Sequence, residues 1–132
     1  MLSIRGAICL AGLFAFAGSG FAGEKKLMHC FAFTQLDDAK DADWDAFFKA
    51  TDEMVEKVDG LNKVWYGKLR SPLAQYGKSQ EEPTVRQWGV CMEMDDEATL
   101  EKYAENEAHT AWVEAYAKVR KPGTTTYDIL GQ

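Results

Sequence analysis

The sequence predicts an α+β fold of the ferredoxin-like βαββαβ type, in which an antiparallel sheet carries helices on one face. Three observations support this: segments that alternate as strands do, apolar residues at helical spacing between them, and their order along the chain. The 132 residues suffice for one domain and contain no internal repeat. One fold must therefore carry any function.

The N-terminal segment is typical of a cleavable secretory signal over residues 1–22. Arg5 precedes an apolar run and then small residues that end at Ala22. The run is shorter than the ~20 residues of a spanning helix. We therefore expect cleavage near Ala22 and Gly23 and a domain over 24–132 that is exported, either periplasmic or secreted, with no membrane attachment after cleavage. An uncleaved membrane anchor is the alternative.

The charge balance disfavours nucleic acid and anionic membranes as partners. Fifteen basic and 21 acidic residues give a net charge of −6. Removal of Arg5 with the signal leaves 14 basic against 21 acidic residues, which is a net charge of −7. Binding to phosphate groups needs a positive patch, and the sequence has no Lys/Arg cluster.

The first strand and first helix follow the signal. Residues 27–34 alternate, with Leu27, His29, Phe31 and Phe33 on one face and Met28, Cys30 and Ala32 on the other. An acidic segment, 37–43, leads into an amphipathic helix that ends at Asp59-Gly60. Its apolar stripe contains Trp44, Phe47, Phe48, Thr51, Met54 and Val58. We expect this helix to cover the histidine face of the strand.

Two further strands are predicted in the middle of the chain. Residues 61–70 include Val64-Trp65-Tyr66 and are rich in strand formers. Residues 71–83 contain two prolines and several polar residues, which indicates a loop. Residues 84–94 alternate again, which predicts the third strand.

The C-terminal third predicts a broken helix and a last strand. Acidic residues 95–97 suit a helix start because they complement its dipole, and a break is expected near Asn106. Pro122-Gly123 is expected to end the second helical piece, and residues 124–130 to form the strand.

One face of this sheet has no helix to cover its apolar residues, which predicts a homodimer through the open sheet face. Cys30 and Cys91 have the parity of that face, and the first and third strands are neighbours in the ferredoxin-like order. A disulfide and two free thiols both fit, because the sequence does not fix the strand register.

His29 and His109 are the two histidines of the chain and the first candidates for proton transfer. Tyr103 precedes His109 by six residues and could orient a carbonyl group or relay a proton. The structural alternatives are a core histidine bonded to backbone, an exposed helix residue and a core tyrosine. The sequence shows no nucleophile elbow, phosphate loop or metal-ligand spacing, so no cofactor or metal is predicted.

These residues carry a family resemblance. The strand at 28–33, the helix at 47–49, the second strand at 64–68 and the segment 97–109 follow in the order and spacing of the stress-responsive A/B barrel domain, a family of dimeric α+β barrels. The most specific elements are the first-strand histidine and a Tyr-x-x-(His/Asn)-x-x-His signature at 103–109. The chain resembles this family over nearly its whole mature length.

Within the family, the chain is similar to plant polyketide cyclases, which perform aldol chemistry without metal or organic cofactor. The resemblance implies that His29, Tyr103 and His109 are catalytic, with His109 as the base. It also implies a pocket for a small apolar ligand, lined by Phe31, Phe33, Phe47, Phe48, Thr51, Trp88, Val90 and Met92. The chain departs from the family at Asn106 and Glu107, which replace a histidine and a proline, and at Thr51 and Trp88, which replace a pocket tyrosine and histidine.

Two hypotheses about function remain open. In the first, a cofactor-independent enzyme acts on a small carbonyl compound: His109 removes a proton, Tyr103 assists, and His29 hydrogen-bonds an oxygen. In the second, the protein is a non-catalytic stress-response or structural dimer with a filled pocket. A cofactor-free, monooxygenase-like enzyme is a further alternative. An open pocket on which the three polar residues converge would favour the first hypothesis.

Overall fold

A computed structural model describes residues 25–132, so the signal expected over 1–22 lies outside the described part of the chain. The elements are β1 (Leu27–Gln35), α1 (Asp41–Lys57), β2 (Leu61–Gln75), β3 (Thr84–Met94), α2 (Glu97–Glu105), α3 (Glu107–Ala117) and β4 (Arg120–Leu130). The predicted order is confirmed, including the break between the last two helices.

The four strands form one antiparallel sheet in the order β2-β3-β1-β4. This is the ferredoxin-like arrangement that the sequence predicts. The register places His29 of β1 opposite Met92 on β3 and opposite Asp128 on β4. The middle strand β1 therefore brings residues of three strands together on the face that packs against the helices.

The core lies between the sheet and the helices. Its members share the helix-facing parity of the strands or the apolar stripes of the helices, and they include Leu27, Phe31, Phe33, Phe47, Met54, Val90, Met92, Met94, Tyr103, Trp112, Tyr116 and Val119. Burial of each large apolar side chain contributes about 1.5–3 kcal/mol. The aromatic members make mostly edge-to-face or tilted contacts, such as the one between Phe33 and Phe47.

The β2 strand is longer than predicted. It was expected to end at Arg70 before a loop over 71–83, but it continues to Gln75. After an irregularity that begins at Lys68, Leu73 pairs with Arg86 and Gln75 pairs with Thr84. The reason is that β2 is an edge strand, where a proline such as Pro72 is tolerated because one side of the strand needs no backbone donor.

The β4 strand also begins earlier than expected, at Arg120. The prediction that Pro122-Gly123 ends the preceding helix is wrong, since α3 ends at Ala117. The pair lies instead within the edge strand, where Gly123 has a positive φ of 94° and its carbonyl accepts a hydrogen bond from Arg86 Nη1 at 3.2 Å. The pairing of β4 with β1 is irregular at this point, between Phe33 and Gln35. Pro122 and Gly123 therefore bend the strand and do not end it.

The open face of the sheet carries a row of four residues across all strands. Trp65 pairs with Cys91, Cys91 with Cys30, and Cys30 with Tyr127. Cys30 and Cys91 form a disulfide, with their Cα atoms 4.2 Å apart. Beside this row lies an apolar groove of about 240 Å³, with Ala32, Gly67 and Gly89 among its lining residues. The face is thus apolar, and no helix within residues 25–132 covers it.

The two ends of the described chain lie side by side. The Gly131 backbone N–H donates to the Lys26 carbonyl over 2.8 Å. Within residues 25–132, no helix combines the length and the apolar character needed to cross a bilayer.

Candidate functional site

His29, Tyr103 and His109 surround one cleft between the sheet and the helices α2 and α3. The centroid of the Tyr103 ring lies 5.8 Å from that of His29 and 4.5 Å from that of His109. The cleft has a volume of about 190 Å³, and its other lining residues are Phe31, Trp112, Tyr116, Thr124 and Thr126. The structure therefore brings together the three residues that the sequence nominated for catalysis.

The break between α2 and α3 positions His109. The Asn106 side chain caps α3 by accepting a hydrogen bond from the Ala108 backbone N–H at 2.8 Å. Its amide nitrogen donates to the Lys57 carbonyl at 3.2 Å, which ties the break to the end of α1. His109 stands in the first turn of α3, so the cap determines where its ring enters the cleft.

His109 is held in the neutral form at neutral pH. Burial lowers the pKa of His109 below its ordinary value of 6.5, and a charge on His29 would lower it further, while a hydrogen bond to the Ala104 backbone opposes both effects. A neutral imidazole keeps one nitrogen free to accept a proton. This is the protonation state that a general base requires.

Tyr103 is deeply buried in the cleft, with 4 % of its surface exposed. Burial raises the pKa of Tyr103 above its ordinary value of 10, and the neighbouring Tyr116 adds to this effect. The phenol therefore stays protonated at physiological pH. It is available as a hydrogen-bond donor between the two histidines.

His29 has a partner that the sequence did not reveal. Its Nδ1 lies 2.6 Å from Oδ1 of Asp128, which stands directly opposite on β4. The side chains are 15 % and 40 % exposed, respectively. The expected alternative of a core histidine bonded to backbone is therefore not what the structure shows. Strand alternation from Thr124 and Thr126 to Asp128 was the signal that could have identified this residue.

The residues predicted to line the pocket are divided among three places. Phe31 lines the histidine cleft. Phe48 and Trp88 line a separate cleft that includes Trp44 and Lys68. Phe33, Phe47, Thr51, Val90 and Met92 are packed in the core, each with no more than 1 % of its surface exposed.

Thr51 has a structural role in that core. Its hydroxyl donates to the Phe47 carbonyl at 2.7 Å and accepts a hydrogen bond from Trp112 Nε1 at 2.9 Å. It therefore satisfies the buried indole N–H behind the cleft wall. Among the described residues, no group of three or more His, Cys, Asp or Glu side chains is placed to hold a metal ion.

Comparisons with known proteins extend the description of the fold. No protein-family model matches the sequence, and no curated protein matches it. Solved structures do match. A DABB family protein with a ferredoxin-like fold from Mesorhizobium loti superimposes with a TM-score of 0.55 at 16 % identity, covering 82 % of this chain and 98 % of that one.

Two other solved structures are similar. A dimeric protein of unknown function with a ferredoxin-like fold from Bacteroides fragilis gives a TM-score of 0.57 at 16 % identity, over 80 % of this chain and 95 % of that one. Hydroxynitrile lyase from Passiflora edulis gives a TM-score of 0.61 at 5 % identity, over 83 % of this chain and 95 % of that one. These similarities confirm the ferredoxin-like α+β fold that the A/B barrel resemblance implied.

Proposed function

We propose that this protein binds a small, largely apolar compound in the histidine cleft and performs cofactor-independent acid-base chemistry on a carbonyl group. The observation that carries the proposal is the convergence of His29, Tyr103 and His109 on one cleft. Taken singly, each of these residues could have a purely structural role. Three proton donors and acceptors around one space are what general acid-base catalysis requires.

The electrostatics of the cleft support separate roles for His109 and Tyr103. His109, neutral because burial lowers its pKa, would remove a proton from the carbon beside the carbonyl group. Tyr103, still protonated, would donate a hydrogen bond to the developing oxyanion or orient the carbonyl. The rings of Phe31, Trp112 and Tyr116 would exclude water from the reacting atoms.

The size of the cleft restricts the ligand. Pockets for drug-sized molecules have volumes of about 300–1,000 Å³, whereas this cleft has about 190 Å³. A compound with one ring or a short chain fits better than a long polyketide. One structural neighbour of the same fold is named as a hydroxynitrile lyase, which supports the inclusion of hydroxynitriles among the candidate ligands.

The test is a thermal-shift and turnover screen of the purified protein with small phenols, ketones, aldehydes and hydroxynitriles. We expect at least one class to raise the melting temperature of the wild type and to lose this effect in His109→Asn. Glu107→Gln is the matched control, because Glu107 is exposed in the same turn of α3 and does not line the cleft. Equal stabilisation of His109→Asn and the wild type would contradict the role of His109.

A second candidate function is a non-catalytic stress-response or structural protein. Dense packing favours it, because Phe33, Phe47 and Met92 fill the space where a larger family pocket was expected. The same screen separates the two candidates. The absence of stabilisation by every compound class would favour the non-catalytic protein.

We also propose that the chain forms a homodimer through the open sheet face. Trp65 is 60 % exposed there, and Tyr127 and Ile129 are exposed beside it. Structural neighbours are described as dimeric, which supports the proposal. Light scattering should give a dimeric mass for the wild type and a monomeric mass for Trp65→Ser.

Tyr76→Ser is the control for that experiment, since Tyr76 is equally exposed but lies in the loop after β2. It should remain dimeric. A monomeric wild type, or a dimer unaffected by Trp65→Ser, would contradict this interface.

Export remains a proposal as well, supported by the signal pattern over 1–22 and by the Cys30–Cys91 disulfide, a bond typical of oxidising compartments. Expression of the full chain followed by cell fractionation and N-terminal sequencing would test it. We expect a new N-terminus near Gly23 in the exported fraction. A protein that keeps Met1 inside the cell would contradict it.

A further inference from the structure

The contact between His29 and Asp128 determines more than the position of a ring. The two residues are exact cross-strand partners, separated by 99 positions in sequence, and His29 Nδ1 lies 2.6 Å from Asp128 Oδ1. An ionised carboxylate only accepts hydrogen bonds. The proton between the two atoms must therefore belong to the imidazole, so Nδ1 is the donor.

The charged and titratable groups near His29, on every element packed around it, are consistent with Nδ1 as the donor. On α2 it faces the Tyr103 ring, and on α3 it faces His109 and Tyr116 across the cleft. The β4 residues that line the cleft beside it, Thr124 and Thr126, are uncharged. Among the residues that line the cleft or contact His29, Asp128 is therefore the one carboxylate.

Fixing Nδ1 as the donor also fixes the chemistry of the other nitrogen. When His29 is neutral, it carries one ring proton, and Asp128 keeps that proton on Nδ1. Nε2 is then left as an acceptor. A partner that binds this nitrogen must supply a proton of its own, as a hydroxyl group does and as a carbonyl oxygen does not.

From this geometry we infer that Asp128 is a positioning residue, which holds neutral His29 in the Nδ1–H tautomer so that Nε2 accepts a hydrogen bond from a hydroxyl group of the ligand. The inference deepens the proposed function and rests on it for the ligand. It specifies a small hydroxy compound, and it gives neutral His29 an accepting role in place of the donating role that the first functional hypothesis gave it.

The first test needs no ligand. Proton–nitrogen NMR spectra of the histidine rings, recorded at alkaline pH, report which ring nitrogen carries the proton. We expect His29 to carry it on Nδ1 in the wild type and to shift towards the Nε2–H tautomer in Asp128→Ala. An Nε2–H tautomer in the wild type, or an unchanged tautomer in Asp128→Ala, would overturn the inference.

Two controls accompany this test. Asp52→Ala removes another exposed aspartate that bonds a side chain, the Tyr66 hydroxyl at 2.9 Å, and should leave the His29 signals unchanged. His109, which has no bond to Asp128, should keep its tautomer in both variants. If Asp128→Ala fails to fold, the wild-type spectrum alone still decides the position of the proton.

The second test addresses the ligand with two probes of similar shape, phenol and anisole. Phenol has a hydroxyl donor, whereas anisole has a methyl ether in its place. We expect phenol to move the Nε2 resonance of wild-type His29 and to do so less in Asp128→Ala. Equal effects of phenol and anisole would overturn the hydroxyl preference. Since the first test is made without ligand, a cleft that binds neither probe would remove the ligand part and leave the tautomer assignment standing.

Discussion

His109 couples the protonation of the cleft to the stability of the protein. Because burial lowers its pKa from the ordinary 6.5, the unfolded chain binds more protons than the folded one between the folded pKa and about 6.5. The free energy of unfolding should therefore rise as the pH rises through this window and fall as the pH drops through it, with no further contribution from His109 below it. Urea unfolding from pH 5 to 7.5 should show a smaller pH dependence for His109→Asn than for the wild type. Equal slopes would contradict the lowered pKa.

Thr51 offers a test of the buried hydrogen bonds behind the cleft. Thr51→Val keeps the shape but leaves the Trp112 indole N–H without its acceptor, which should cost about 1–3 kcal/mol. Thr51→Ser retains the hydroxyl and should keep that bond. The decrease in its stability should therefore reflect mainly one missing methyl group. Urea denaturation of the three proteins measures the difference. A Thr51→Val protein as stable as the wild type would mean that the bond contributes nothing.

Residue type identified His29 and His109 as candidates, because they are the two histidines of the chain, whereas Tyr103 was chosen by its distance from His109 and by the family resemblance. They did not identify Asp128, because one aspartate among 21 acidic residues has no distinguishing feature until the strand register is known. The same limit applies to Phe33, Phe47 and Met92. A buried apolar side chain has the same sequence pattern whether it packs in a core or lines a pocket.

At the scale of elements, a single residue, Asn106, separates α2 from α3 and caps the start of α3. Asn106→Ala removes the hydrogen bond to the Ala108 backbone and should cost about 0.5–2 kcal/mol of stability. We also expect the ring signals of His109 to shift in NMR spectra, since the start of α3 is released. Asn106→Asp keeps the cap acceptor and replaces the donor to the Lys57 carbonyl by a carboxylate oxygen, so it serves as the comparison. Unchanged stability and unchanged His109 signals in Asn106→Ala would contradict this role.

The periodicity of the sequence predicted which helices and strands form, but it did not predict where the edge strands end. Alternation over 27–34 and 84–94 located β1 and β3 closely, because both strands lie inside the sheet and each has one face against the core. The edge strands β2 and β4 extend past prolines that indicated loops. Their extra pairs depend on a neighbouring strand, which no local pattern contains.

At the scale of the whole molecule, the disulfide closes a long section of chain. Cys30 and Cys91 are 61 positions apart and join β1 to β3. A loop of this length is expected to stabilise the fold by about 2–4 kcal/mol, mainly by restricting the unfolded chain. Reductant should lower the free energy of unfolding by that amount, and the denatured, unreduced residues 25–132 should show no reactive thiol. Two reactive thiols before reduction would contradict the bond.

The contact between Gly131 and Lys26 makes this domain suitable for circular permutation, in which the two ends are joined and new ends are opened elsewhere. Since the ends meet, a short glycine-serine bridge from Gln132 to Lys25 would require little rearrangement, and the exposed segment from Tyr76 to Glu82 offers a place for new termini. A circular permutant that begins at Ser79 should fold cooperatively, as circular dichroism would show. Its polypeptide would then start just before β3 and end after β2, and the cleft residues of α2, α3 and β4 would be followed, across the new bridge, by those of β1.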